Sequence, residues 1–220
     1  MDKAIEIFKN VFRINQRLFT KNLALGSKVY GEDLVMLNGI EYRSWNPYRS
    51  KLAAAILNGL KTLSIAPDSS ILYLGAATGT TCSHVSDIVG EGGTVYCVEI
   101  SERSMRDLIK VCEKRPNMLP ILSDARSVSA YSNEVGTVDS LYQDVSSRDQ
   151  AEILLYNSVL LKNGGFAYVA IKSQSISTAS NPEEVYKDFL KFVSSKFKVL
   201  EKIKLEPFDK KHLFVVLKKI

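Results

Sequence analysis

From Trp45 onward, apolar runs of strand length alternate with stretches of helical length, and this alternation restricts the fold more than any other feature of the chain. Ile71–Leu74, Thr94–Glu99, Leu119–Leu122, Ser140–Gln143 and Phe166–Ile171 read as short strands. Asn46-Pro47 predicts an N-cap with proline in the first helical position, opening a helix that runs to about Leu60. Further helices are predicted over Thr80–Val89, closed by Gly90, and from Ser101 to about Lys114. Two more are predicted over Ser147–Leu161, closed by Asn163-Gly164-Gly165, and over Pro182–Ser195, with Asn181 near its start. Lys198–Leu205 and His212–Lys218 flank a polar turn and predict a terminal antiparallel hairpin. Strands separated by helices pair in parallel, with both faces of the sheet covered. The expected architecture is therefore α/β: a Rossmann-like, mostly parallel seven-stranded sheet carrying a C-terminal antiparallel hairpin.

Residues 1–45 follow another pattern. Short runs at Arg17–Thr20, Val29–Tyr30, Leu34–Leu37 and Ile40–Arg43 are broken by Gly26, Gly31 and Asn38-Gly39. Asn-Gly between apolar runs is a hairpin signal. A small β-rich domain is expected over 1–45 and the main domain over 46–220. A chain of 220 residues buries a sufficient core without covalent staples. No apolar stretch approaches the roughly 18–20 residues that span a bilayer. Asp2, Lys3, Glu6 and Lys9 interrupt the first residues, so no secretory leader is expected and a cytoplasmic location is. Cys82, Cys97 and Cys112 have neither metal nor redox spacing, and the chain has only two histidines, so no metal site is expected. Residues 1–62 carry ten Lys/Arg against five Asp/Glu, while the remainder is balanced. That distribution suits a polyanionic partner, or simply solubility.

The chemistry-bearing residues sit at the ends of the predicted strands. Tyr73-Leu74-Gly75-Ala76-Ala77-Thr78-Gly79-Thr80-Thr81 stands where a strand hands over to a helix. Glycine there permits a tight turn and close backbone approach to a ligand, and the helix N-terminus offers free N–H groups. The G-x-x-x-G spacing departs from the G-x-G-x-x-G of dinucleotide enzymes. The amino-acid end of S-adenosylmethionine suits Gly75 and Ala76 better than a pyrophosphate does; a plain structural turn is the other reading. Glu99 ends the next strand, where a carboxylate can accept both hydroxyls of a ribose, or act as a helix N-terminal acid ahead of Ser101. Asp124 follows the third strand, where it can accept an adenine amino group, and Asp144 follows the fourth; either could instead cap a helix. Lys172 ends a central strand, as a snorkelling surface residue or as a desolvated amine able to act as a base.

Longer motifs carry a resemblance. Gly75-Ala76-Ala77-Thr78-Gly79-Thr80-Thr81, with Ser83-His84-Val85-Ser86-Asp87 behind it, is similar to the signature of the fibrillarin family. So are Glu41 through Ala54 (EYRSWNPYRSKLAA), Thr20-Lys21-Asn22-Leu23, Val29-Tyr30-Gly31-Glu32 and Gln150-Ala151-Glu152-Ile153-Leu154. The chain shows no Gly/Arg-rich stretch, so it resembles the archaeal members. The resemblance implies a small N-terminal β domain on a Rossmann-like class I methyltransferase domain. It implies transfer of methyl groups from S-adenosylmethionine to ribose 2′-hydroxyls of ribosomal and transfer RNA, directed by a box C/D guide RNA. A Nop-type scaffold protein and a kink-turn-binding, ribosomal-type protein would complete the particle. Carried over by position, Thr80, Thr81, Glu99, Ile100, Asp124, Ala125, Asp144 and Val145 would hold the cofactor, and Lys51, Asp144, Lys172 and His212 would form the catalytic set. Ile100 stands where the family often has an aromatic residue. Asp144-Val145-Ser146-Ser147 stands where it usually has Asp-Val/Ile-Ala-Gln.

In that set Lys172 is expected to be the base, with Lys51 and Asp144 positioning the hydroxyl and His212 supporting them, or serving only as a strand residue. No metal is needed for such a transfer. The alternative is a methyltransferase of the same fold acting on a small molecule or a protein, since a fold does not choose a substrate. No base-reading module is visible, which suits an enzyme whose target is chosen by pairing to a guide.

Overall fold

The computed structural model describes residues 3–177 and 181–220. Five N-terminal strands, β1 (Ile5–Phe8), β2 (Val11–Ile14), β3 (Arg17–Lys21), β4 (Leu34–Leu37) and β5 (Ile40–Ser44), form an antiparallel sheet in the order β1-β2-β3-β5-β4. Asn38 and Gly39 make the β4–β5 turn, both at positive φ (51° and 77°), as a two-residue type I′ loop requires. Asn15 and Gln16 do the same between β2 and β3 without a glycine (φ 47° and 64°). The expected Val29–Tyr30 strand run is instead a loop. The amides of Val29 and Tyr30 donate to the Glu32 carboxylate at 3.0 and 2.8 Å, which curls the chain around that side chain.

The rest of the chain runs α1 (Lys51–Leu57), β6 (Ser70–Leu74), α2 (Thr80–Val89), β7 (Thr94–Glu99), α3 (Glu102–Cys112), β8 (Met118–Leu122) and α4 (Ser132–Val135). It continues through β9 (Val138–Gln143), α5 (Gln150–Asn157), β10 (Leu161–Lys172), α6 (Ser173–Ile176), α7 (Pro182–Val193), β11 (Phe197–Lys204) and β12 (His212–Lys219). Its seven-stranded sheet has the order β11-β12-β10-β9-β6-β7-β8. Strands β6 to β10 pair in parallel, and β12 is antiparallel to both β10 and β11, as the sequence predicts.

Strand periodicity builds two cores. Ile71 and Tyr73 of β6, with Val95, Cys97, Tyr142 and Tyr168, face α1, α2, α3 and the N-terminal sheet. Leu72 and Leu74, with Val98, Leu141, Val169 and Ile171, face α4, α5 and α7. Each such side chain, fully buried, contributes about 1.5–3 kcal/mol. The three cysteines are free and packed as apolar residues on the first face.

Two helix boundaries differ from expectation. Asn46 does not cap α1; its Oδ1 accepts from Tyr48 N at 2.9 Å and its carbonyl from Arg49 N at 3.1 Å, closing a separate turn. The cap is Ser50, whose Oγ accepts from Ala53 N at 3.4 Å, so Lys51 opens the helix. The helix expected over Ser147–Leu161 is α5 alone, followed by one 3₁₀ turn. Leu161 already pairs with Val138 as the start of β10, which buries it, and Gly164 (φ 72°) lies within an irregular stretch of that strand.

Candidate active site

The carboxyl ends of β6, β7, β9 and β10, with the loop after β8, open on a cleft of about 480 Å³. All ten residues expected on the cofactor side line it, together with Lys51 and Lys172. A separate groove of about 580 Å³ lies against the N-terminal sheet at Trp45 and Tyr48 and does not meet these strand ends.

The floor is backbone. Gly75 sits at φ 82°, and a Cβ there would meet the Asp144 carbonyl oxygen at 2.6 Å. Only glycine lets β6 and β9 leave the sheet this close together. Glu99 is buried at the rim; Oε2 accepts from Ala77 N and Oε1 from Ser101 N, both at 2.8 Å. Both functions considered for it are therefore compatible: it holds the turn and the start of α3, and each oxygen keeps a lone pair for a hydroxyl donor. Asp124 forms a turn with Arg126, whose backbone N donates at 2.9 Å and whose guanidinium folds back on the carboxylate. Those bonds hold the Asp124 carboxyl below the usual carboxylate range. Ile100, 60% exposed, lies on the outer wall.

Lys51, Asp144 and Lys172 meet at the end of the cleft. Lys51 Nζ donates to Asp144 Oδ2 at 3.0 Å. Lys172 Nζ lies 2.9 Å from Asp144 Oδ1, while its hydrogen bonds go to the Asp144 carbonyl (3.2 Å) and Ser146 Oγ (2.8 Å). Asp144 Oδ1 is thus buried and accepts no hydrogen bond from the described residues. What faces that oxygen is Lys172 Nζ, at ion-pair distance. Lys51 is positioned from behind: Thr81 Oγ1 donates to Ser50 Oγ at 3.0 Å, tying the glycine turn to the cap of α1. Nothing in the sequence assigned a role to Ser50, which only a cap pattern could have suggested, and Ser146 showed there only as a departure from the family's usual alanine.

His212 stands apart from the cleft lining, opposite Lys172 in the β10–β12 register. Its Nδ1 lies 2.8 Å from the Lys210 carbonyl and 2.9 Å from Asp209 Oδ1. Asp209, which sequence reasoning missed, is 3.8 Å from Lys51 Nζ and joins His212 to the cluster. The N-terminal excess of positive charge is partly internal. Arg43 is fully buried between Glu32 and Asp87, and Lys51 faces Asp144.

The fold and this site define a Rossmann-like methyltransferase, with a nucleoside-sized cleft along the strand ends and a Lys–Asp–Lys cluster at its end. The sequence profile of the family described as Fibrillarin matches residues 3–220, and the chain belongs to that family. It is similar to the fibrillarin-like rRNA/tRNA 2′-O-methyltransferase of Thermococcus onnurineus, 48% identical over 93% of this chain and 91% of that one. Among solved structures it resembles the Methanococcus jannaschii fibrillarin pre-rRNA processing protein at TM-score 0.96, with 42% identity over 100% of this chain and 98% of that one. The Aeropyrum pernix fibrillarin with natively bound S-adenosyl-L-methionine superposes at TM-score 0.89, 41% identical over 99% and 100%. A fibrillarin in complex with Nop5p also superposes at 0.89, 38% identical over 98% and 100%.

Proposed function

We propose that this chain transfers methyl groups from S-adenosylmethionine to ribose 2′-hydroxyls of ribosomal and transfer RNA, as the catalytic subunit of a box C/D ribonucleoprotein. The observation that carries the reading is the Lys51–Asp144–Lys172 cluster at the end of the cleft, with one oxygen of Asp144 on each lysine. When bound, the cofactor supplies an electrophilic methyl group on a sulfonium. The residues present fit it. Glu99 offers acceptors for the ribose, Asp124 and Ala125 flank the place of a base, and the Gly75–Thr81 turn brings backbone close to the amino-acid end. Ile100 and Val145 form apolar walls.

Lys51 and Asp144 position the incoming 2′-hydroxyl and align its oxygen for in-line displacement. Lys172, acting as the free amine, accepts the hydrogen bond of that hydroxyl and takes its proton as the oxygen becomes the nucleophile. Lys51 fixes the second oxygen of Asp144, and His212 supports the cluster from the hairpin. The partners follow from the same reading: a Nop-type scaffold, a kink-turn-binding protein of ribosomal type, and a guide RNA that chooses the target by pairing. Residues 1–45 act as a β-rich support for the methyltransferase domain over 46–220.

The test is methyl transfer from labelled S-adenosylmethionine to a short RNA paired with a guide, in the assembled particle, beside a control target carrying a 2′-deoxy sugar at the guided nucleotide. Methylation of the ribose target alone is expected. Cofactor binding without transfer to either target would move the assignment to a small-molecule or protein acceptor.

A further inference from the structure

The turn between β11 and β12 places a second carboxylate beside the Lys–Asp–Lys cluster. Asp209 Oδ1 lies 2.9 Å from His212 Nδ1, and Oδ2 lies 3.8 Å from Lys51 Nζ. The Lys210 carbonyl is 2.8 Å from the same Nδ1. Carbonyl and carboxylate oxygens only accept, so Nδ1 carries the hydrogen and Nε2 of the neutral ring keeps its lone pair. The five side chains then run His212–Asp209–Lys51–Asp144–Lys172. Asp144 faces both lysines; Asp209 brings a second carboxylate to Lys51.

The turn is held by the elements that carry the two lysines. The amides of Phe208 and Asp209 donate to the Leu205 carbonyl at 2.9 and 3.0 Å. The Phe208 ring meets Tyr48 edge-on, 5.2 Å between centroids, just ahead of α1. At the other end of α1, Asn58 Nδ2 donates to the carbonyls of Lys204 and Glu206 at 2.8 and 2.9 Å. Ser173, next to Lys172, donates its hydroxyl to the Lys211 carbonyl at 3.0 Å. A carboxylate on such a frame loses little freedom when it orients its neighbours.

We propose that Asp209 is a positioning residue for methyl transfer: its carboxylate fixes the Nδ1–H form of His212 and holds Lys51 against Asp144, so that Lys51 and Asp144 address one ribose hydroxyl with His212 set behind them. This rests on the ribose-methylation reading above. In the assembled particle, Asp209→Ala should lower kcat by about tenfold or more, leaving KM for the RNA and cofactor affinity within about twofold. Asp209→Glu should restore most of the rate. Asp209→Ala added to His212→Ala should slow the reaction less than it slows the wild type. A wild-type kcat in Asp209→Ala, or a loss that Asp209→Glu leaves unrepaired, overturns the proposal. A second readout needs no substrate: the ¹⁵N shifts of His212 in the free protein should report the Nδ1–H form, and Asp209→Ala should shift the ring toward the other tautomer. An unchanged ring in that variant overturns the proposal whatever the acceptor. A shifted ring in a protein that leaves every guided ribose unmethylated sustains the positioning role and overturns only the choice of substrate.

Discussion

Lys172 and Gly75 bring two kinds of residue-scale argument to one place. Lys172 Nζ sits among Asp144 Oδ1, the Asp144 carbonyl and Ser146 Oγ, and has no part in the hydrophobic core. Lys172→Ala should therefore reduce transfer by about a hundredfold or more while S-adenosylmethionine still binds. Titration calorimetry beside single-turnover rates separates the two, and a collapse of cofactor affinity in the variant would assign Lys172 to binding. Gly75 acts through the backbone. An alanine there takes a left-handed φ at about 1–2 kcal/mol and pushes on the Asp144 carbonyl, 2.6 Å from its Cβ. That carbonyl is also a Lys172 acceptor, so Gly75→Ala should lose stability in urea, cofactor affinity and transfer together. Wild-type transfer in a destabilised Gly75→Ala protein would show the two to be independent. Most of these residues were legible in the sequence because the chemistry of a strand end restricts what stands there: glycine for approach, a carboxylate for hydroxyls, a lysine no core would hold. Asp209 was not. An acidic residue in a polar turn has no distinguishing pattern, and its role exists only once the hairpin returns beside α1.

At the scale of elements, α1 shows what a cap does for a site. Ser50 is buried, accepts from Ala53 N, and receives the Thr81 hydroxyl, so one oxygen starts the helix and ties it to the glycine turn. Ser50→Ala removes the cap and leaves Thr81 Oγ1 without this acceptor. The loss should be about 1 kcal/mol, roughly 2–4 °C in thermal midpoint. Transfer should fall further than that stability loss explains, because Lys51 is the next residue. A variant with a lowered midpoint and an unchanged rate would show that the cap does not place Lys51. The parallel strands were readable because burial on both faces leaves continuous apolar runs, as in Ile71–Leu74. The first two strands, β1 and β2, were not. Their turns use Asn10, Asn15 and Gln16 at positive φ, and without glycine the punctuation disappears. The start of α1 was misread because Asn46-Pro47 satisfies a local turn as well as it would a helix cap, and tertiary contact with Thr81 decides between Asn46 and Ser50.

Across the whole molecule, the N-terminal sheet and the methyltransferase sheet share one apolar cluster, in which Val11, Leu18 and Trp45 pack with Leu52, Val85 and Ile88. A buried ion network crosses the same boundary. Arg43 binds Glu32 and Asp87, and Arg115 binds Asp87 and the Asn22 side chain. Arg43→Met leaves Glu32 without its guanidinium partner, and should cost about 3–5 kcal/mol in a single unfolding transition seen alike by fluorescence and circular dichroism. Two separated transitions would mean that residues 1–45 unfold alone. His84 lies inside this network, with Nδ1 2.7 Å from Thr20 Oγ1, Nε2 2.8 Å from the Tyr30 hydroxyl, and its ring stacked on Trp45 at 4.8 Å. Burial, then Arg43 and Arg115, push its pKa well below the ordinary histidine value of 6.5, against the Asp87 carboxylate at 3.9 Å. Thr20 gives its own hydrogen to Asp87, so the neutral ring donates from Nδ1 to Thr20 Oγ1, and the one Tyr30 hydroxyl hydrogen is shared between Nε2 and the Ser44 carbonyl, 2.9 Å away. Above pH 6.5 the ring is neutral in both folded and unfolded chains and contributes no pH dependence. Below it the unfolded chain binds a proton that the native protein refuses, so stability falls as pH falls, by up to about 1.4 kcal/mol per unit. The difference in unfolding free energy between wild type and His84→Gln, measured from pH 7.5 down to 5.5, should carry that slope. The His84 ring in the native wild type should keep its neutral NMR signature over the same range. A protonated native ring, or stability that rises on acidification relative to the variant, would show that Asp87 outweighs the two arginines.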